Sequence, residues 1–316
     1  MSLIVKSEDE YEDLLALWSD LEAGLAVILS HPASAQEFAA RVRQYDNWMQ
    51  NLIQRDTDVG LYLLFQLATN SPVGYSASHA LVCAVLCHLI ANDFKLDKTE
   101  RDSLVHAALT MNIAMTALQD LLANQRERPS PEQQHSIRSH ASLGAAMLVE
   151  MGIGNPLWLQ TIERHHDTAP PLQDLHSLQP VQRLSHILHV VDRYAAMISP
   201  RQSREGRSAA ESAKDITQGK SAHDNPIGQA LVRTVGLCPP GTFVQLNNQG
   251  IAVVVRRSYA PNLPDVAQIV TPDGQKIRMP VLHATHTGQV SIKSALTPAA
   301  VQERISHHLI LQLRST

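Results

Sequence analysis

Apolar residues recur at helical spacing through most of the chain and then change to a two-residue alternation. Leu14, Leu15, Leu17, Trp18 and Leu21 mark one helical face, and Phe38, Val42, Tyr45, Trp48 and Met49 mark another. His31-Pro32-Ala33-Ser34 breaks the pattern between them, and Ser34 is the expected N-cap of the second helix. A third helix is expected over Gly60–Ala68. The stretch from Ala80 to Ala91 is apolar nearly all round, which predicts a helix buried at the centre. Ser130 followed by Pro131 announces another helix that closes near Gly152, and Pro156 and Pro180 sit near the starts of two more. From about residue 236 the pattern alternates, with β-branched runs separated by Asn247-Asn248-Gln249-Gly250 and Pro272-Asp273-Gly274, which is hairpin patterning. Residues 297–314 return to helical spacing. The fold expected is mainly α: an N-terminal helical region over 1–70, a helical bundle over 71–235, and a small β-rich subdomain with a terminal helix over 236–316.

Composition narrows the function without naming it. The chain has 316 residues, 44% hydrophobic and only 4% aromatic, so its core is built from aliphatic side chains. Lys+Arg number 26 against 30 Asp+Glu, a formal charge of −4, which argues against double-stranded nucleic acid as a partner. The N-terminus turns acidic and lacks the basic-then-apolar layout of a signal peptide, and the longest apolar run is too short to span a membrane. A cytoplasmic location is expected. Cys83 and Cys87, four apart on the apolar helix, read as buried thiols. The 16 histidines are many for this length; His186, His189, His283 and His286 read as surface residues.

Polar residues that interrupt apolar helices carry the candidate chemistry. His79 opens the central helix, His140 lies one helix further on, and His165-His166 ends the next. Asp192 sits inside the stripe Leu184, Ile187, Leu188, Val191 and Ile198, where an unpaired carboxylate is expensive. Each has a plain structural alternative: a helix-start hydrogen bond for His79, a surface position for His140, a pairing with Arg193 for Asp192. Adjacent helical residues point about 100° apart. His165 and His166 can converge on one ion only where the helix turns off, which Pro170-Pro171 encourages.

The order of these residues resembles the HD-domain phosphohydrolases, and their HD-GYP branch in particular. His79, His140-Ala-Ser-Leu-Gly144, His165-His166-Asp167, Val191-Asp192-Arg193-Tyr194-Ala195-Ala196 and Ser199/Arg201/Arg204 fall in the family's order, and "GLCPPGTFVQLNNQG" is similar to the segment that closes its fold. The resemblance spans about residues 70–260. It implies an HD-domain-type helical bundle, hydrolysis of cyclic di-GMP at clustered metals, metal ligation by His79, His140, His165, His166 and Asp192, and phosphate contacts from Arg201 and Arg204. The departures fall on the chemistry. The family's His-Asp pair is Met111-Asn112, its phosphate-binding Lys falls at Met115, and "DTAPPLQDL" replaces the Gly-Tyr-Pro loop. Asn lacks the charge that lets a carboxylate bridge two cations, and Met is a soft ligand. The expectation is therefore one transition-metal ion (Fe, Mn, Zn or Ni) rather than a two- or three-metal centre. The function expected is that of a degenerate HD-GYP-like protein acting by binding cyclic di-GMP, a related nucleotide, or a protein through its N-terminal helices. The alternatives are an active phosphodiesterase with a reduced metal centre, and a scaffold without ligand.

Overall fold

The structure, a computed structural model, describes residues 8–70, 73–167, 175–199, 206–218, 225–259, 262–301 and 305–313. Helices α1 (Glu8–Ser30), α2 (Phe38–Arg55), α3 (Thr57–Asn70), α4 (Tyr75–Ala91), α5 (Lys98–Thr110), α6 (Thr116–Asn124), α7 (Pro131–Glu150), α8 (Pro156–Arg164), α9 (Pro180–Ile198), α10 (Ala209–Gln218) and α11 (Pro226–Val235) precede the sheet. Strands β1 (Phe243–Leu246), β2 (Ile251–Arg256), β3 (Asp265–Val270), β4 (Lys276–Ala284) and β5 (Ile292–Leu296) follow, and α12 (His307–Gln312) comes last.

Helix α4 is the hub, as its unbroken apolar run predicts. It is buried except at Tyr75, His88 and Leu89, and α1, α3, α5, α6, α9 and α11 pack on it. Leu14, Trp18 and Leu21 of α1 belong to the same hydrophobic core as Leu81, Val85 and Leu86 of α4 and Leu184, Ile187 and Val191 of α9. The N-terminal helices are thus part of the core rather than an arm beside it.

Helix starts set the phase of every candidate residue. The Ser130 hydroxyl accepts from the Gln133 amide in a capping box with Pro131 in the first turn, which fixes the start of α7 and so the direction of His140. Asn155 accepts from the amides of Leu157 and Trp158 and starts α8 at Pro156. Gln179 and Pro180 start α9, which carries Asp192. Ser34 does not cap α2. Its hydroxyl donates back to the His31 carbonyl at 2.9 Å within its own short 3-10 turn, and α2 begins at Phe38 behind Glu37, whose φ is 52°.

The C-terminal part departs from the sequence expectation in extent. Both hairpins form at the expected turns, but they belong to one antiparallel sheet of order β4-β3-β2-β1-β5. Strand β5 pairs with β1, from which β2, β3 and β4 separate it in sequence, so no local turn announces it. Among the described residues, the helix expected over 297–314 consists of a 3-10 turn (Pro298–Ala300) and the short α12. The sheet has two buried faces. Val253, Val255, Ala267 and Ile269 join the main core, and Val244, Leu246, Ala252, Val254 and Val266 form a second, smaller cluster.

Gly241 couples the sheet to α3. Its φ is +88°, and a Cβ there would stand 2.5 Å from the Tyr62 carbonyl oxygen. The Gln66 side chain donates to its carbonyl at 2.5 Å. Gly241→Ala combines a left-handed backbone with a clash against main chain, so it is expected to lower stability by about 2–3 kcal/mol. Urea unfolding followed by circular dichroism checks this; an unchanged midpoint would show that the sheet docks without that contact.

Candidate metal centre

Helix α8 ends at Arg164, its C-cap His165 keeps near-helical dihedrals (φ −66°, ψ −11°), and the rings of His165 and His166 converge with that of His140 on α7. The ring centroids of His165 and His166 are 3.9 Å apart, and those of His140 and His166 5.0 Å. The available nitrogens of His140, His165 and His166 all lie within 4.8 Å of one another.

Hydrogen bonding fixes the tautomers of the two inner rings. Nδ1 of His140 lies 2.6 Å from the Ile137 carbonyl and Nδ1 of His165 lies 2.5 Å from the Ile162 carbonyl. A carbonyl only accepts, so each Nδ1 carries the proton and donates it. Both Nε2 atoms then present lone pairs, and they face each other at 3.4 Å. Two acceptors held that way repel unless a proton or a cation lies between them. Burial, followed by the neighbouring His166, drives the His165 ring down to about 3, so at neutral pH it is an uncharged donor ready for a metal. With metal–nitrogen bonds of about 2.0–2.1 Å, tetrahedral geometry puts two nitrogens about 3.4 Å apart. His140 and His165 are 1% and 0% exposed, whereas His166 is exposed and gives the cluster a solvent side. Burial first, then His140 and His189, also lower the His166 ring against the pull of Asp192. Three neutral imidazoles suit Zn, Fe or Ni and are a poor set for Mg.

His79 and Asp192 stand together in a second group. The His79 Nε2 lies 2.8 Å from Asp192 Oδ1, and Cys83 Sγ lies 3.6 Å from the same nitrogen. Tyr75 stacks on the His79 ring at 5.4 Å and 13°. Burial alone would raise the Asp192 carboxyl; the His79 hydrogen bond and the positive charge that His79, His165 and His166 can carry outweigh it and hold the group well below the usual range. Asp192 does not pair with Arg193, which turns to Asp215.

The remaining sequence candidates fall as follows. Met111 is packed in the core at 1% exposure, and Asn112 is half-buried in the turn after α5. That turn meets α7 at Gly144, where a Cβ would stand 3.4 Å from Ile113 Cγ2 and 3.7 Å from the Met111 carbonyl. Met111 and Ile113, on either side of Asn112, thus lie against the helix that carries His140. Arg201 and Arg204 lie outside the described residues.

Sequence reasoning missed three contributors. His189, expected at the surface, is half-buried and its Nδ1 lies 2.9 Å from the His165 carbonyl, bracing the turn that aims the ring. His186 is buried as well, and burial lowers its ring. Cys83 is legible as a core thiol, yet its spacing of four from His79 also puts it on the same helix face. His283 is half-buried beside Gln268 at 3.1 Å, and His286 is exposed as expected.

No family model matches the chain. Over 247 residues it is 24% identical to the cyclic di-GMP phosphodiesterase PA4108 of Pseudomonas aeruginosa, covering 77% of this chain and 56% of that protein. Among solved structures it is similar to Bd1817, described as an HDG"Y"P protein from Bdellovibrio bacteriovorus, with a TM-score of 0.53, 14% identity and 73% of each chain covered. The chain thus resembles a cyclic di-GMP phosphodiesterase in sequence and shares the fold of an HDG"Y"P protein. The chain spans little more than half the length of that curated relative. Its described helices include none long and apolar enough to cross a membrane.

Proposed function

We propose that this HD-GYP-like chain binds cyclic di-GMP or a closely related cyclic dinucleotide beside a transition-metal ion held by His140, His165 and His166, and that it hydrolyses the nucleotide slowly or not at all. The observation that carries the reading is the pair of Nε2 lone pairs facing each other at 3.4 Å, an arrangement that a cation satisfies. Such an ion, when bound, supplies Lewis acidity toward a phosphoryl oxygen or water. The chain's own residues orient the imidazoles through the Ile137 and Ile162 carbonyls and keep a carboxylate, Asp192, charged nearby.

The weak-hydrolysis part rests on position 112. Asn there cannot supply the bridging charge that a carboxylate gives two closely spaced cations, and Met111 is buried in the core. Losing one stabiliser of the developing charge costs about 10²–10³ in turnover, by the measure of single oxyanion donors. Arg201 and Arg204 are proposed phosphate contacts on the resemblance, since guanidinium groups match phosphate oxygens. A protein partner would use the outer faces of α1 and α2, because their inner faces are spent on the core.

Calorimetric titration with cyclic di-GMP beside a hydrolysis assay on one preparation tests the reading. Binding with turnover at least about 100-fold below an intact two-metal phosphodiesterase is expected. Arg201→Ala is expected to weaken binding about tenfold. Full turnover would favour the active reading, to which the solvent side of the cluster at His166 lends support. No binding at all would leave a scaffold.

A further inference from the structure

We propose that His79, Cys83 and Asp192 form a second metal position, in which the Cys83 thiolate supplies a negative charge. The inference rests on the metal-binding reading above and adds a ligand type to it. The donor atoms are already grouped: the available atoms of His79, Cys83 and Asp192 lie within 4.8 Å of one another, as do those of the imidazole trio.

The Cys83–His79 spacing, a sulfur hydrogen-bond distance as it stands, also fits a shared ion. Zinc–sulfur and zinc–nitrogen bonds of about 2.3 and 2.0–2.1 Å at a tetrahedral angle put S and N about 3.5–3.6 Å apart, and Cys83 Sγ stands 3.6 Å from His79 Nε2. The 2.8 Å contact of Asp192 to that nitrogen is a hydrogen bond, and the carboxylate must open by about half an ångström to share an ion. In that hydrogen bond Nε2 carries the proton. Ligation by Nε2 moves it to Nδ1, which has no hydrogen-bond partner among the described residues, so nothing is broken there. His79 and Cys83 are 2% and 0% exposed, while the Asp192 side chain keeps 20% of its surface open as the entry.

Charge decides which cation belongs. A neutral imidazole, a thiolate and a carboxylate sum to two negative charges and balance one divalent ion. Thiolate selects a borderline or soft ion, Zn(II) or Fe(II), against Mg(II) or Ca(II). Without an ion a cysteine side chain is a thiol at neutral pH. Binding expels that proton to solvent as the metal–sulfur bond forms. A charged thiolate in this place brings an anion one helix turn from His79, at a different position from Asn112 in the turn after α5.

Cobalt(II) substitution tests it, because thiolate ligation gives a near-ultraviolet sulfur-to-cobalt charge-transfer band that nitrogen and oxygen ligands do not. The metal-depleted protein is titrated with Co(II) alone. About two equivalents and the band are expected, with the band and about one equivalent lost in Cys83→Ser and again in Cys83→Ala. Cys87→Ala should keep both, and circular dichroism establishes that each variant is folded. His166→Ala should lose the other equivalent and keep the band. One equivalent without a band overturns the second position and leaves the imidazole site standing. A band that survives in both Cys83 variants overturns the assignment, and no bound Co(II) overturns both proposals.

Discussion

Replacing Asp46 with alanine is expected to destabilise the protein by about 3–5 kcal/mol, more than a surface ion pair would justify. Arg101 grips Asp46 with both terminal nitrogens at 2.7 Å, and the two side chains are 11% and 4% exposed. His106 lies 3.2 Å from the same carboxylate, and Arg101 also donates from Nε to His88 Nδ1 at 3.0 Å. Burial alone would raise the Asp46 carboxyl, but His106 and Arg101 hold it down to about 2. Removing the carboxylate breaks the bidentate pair and takes away the partner of His106, leaving the buried guanidinium to the partly exposed Asp102 carboxylate at 2.8 Å and to His88. The loss reaches the candidate site, because the His106 ring stands 4.9 Å from Trp158 of α8, whose Nε1 donates to Thr110 at 2.9 Å. Guanidinium chloride unfolding measures it, and Asp46→Asn should recover part of the difference by accepting one of the hydrogen bonds. A change below about 1 kcal/mol in the alanine variant would mean that the network contributes no more than an exposed pair.

The metal-free protein is expected to lose stability steadily as pH falls below 6.5. Burial, followed by the Arg101 charge, lowers His88 to about 4, and burial lowers His165 to about 3. In the unfolded chain both titrate near 6.5, so below that pH the unfolded state binds protons that the native state refuses. Stability contributed by keeping these rings neutral is complete above about pH 6.5 and is lost as pH drops through their native values. Asp46 adds a further loss between about pH 4 and 2. Each tenfold change in proton affinity corresponds to about 1.4 kcal/mol, so His165 alone sets a ceiling of about 4–5 kcal/mol. The neighbouring imidazoles share its proton, so the net effect is a few kcal/mol. Urea midpoints at pH 7, 5.5 and 4.5 in chelator check the slope, and equal midpoints at the three would contradict it. Bound metal should add stability at pH 7 that disappears over the same interval, as protons compete for the ring nitrogens.

The helices are legible in the sequence because their signals are local. An unbroken apolar run marks α4, Ser130-Pro131 marks the start of α7, and Pro156 and Pro180 mark the neighbourhood in which α8 and α9 begin. Strand β5 is not legible, because its partner lies far away in sequence, whereas α12 is a short part of the helix expected over 297–314. Ser34 gives a capping signal that its own turn consumes. In the site, His140, His165 and His166 can be read from order along the chain, and the structure brings them together. What order cannot show is that the five expected ligands divide into two groups, with His79 and Asp192 apart from the imidazole trio. Nor can it show that His189 braces His165 through a backbone carbonyl, since that contact depends on how α9 packs against the end of α8. For Cys83 the informative spacing is to His79, and the like residue at Cys87 draws the eye away from it.

Metal content of the protein beside its His166→Ala variant, each reconstituted with zinc and passed through a desalting column, tests the central claim most directly. His166 is exposed, so the variant keeps its fold while losing a ligand. The wild-type chain is expected to retain zinc, and the variant to retain about one equivalent less. A wild-type protein that holds no zinc, or a variant that holds as much, would contradict a metal centre built on His140, His165 and His166.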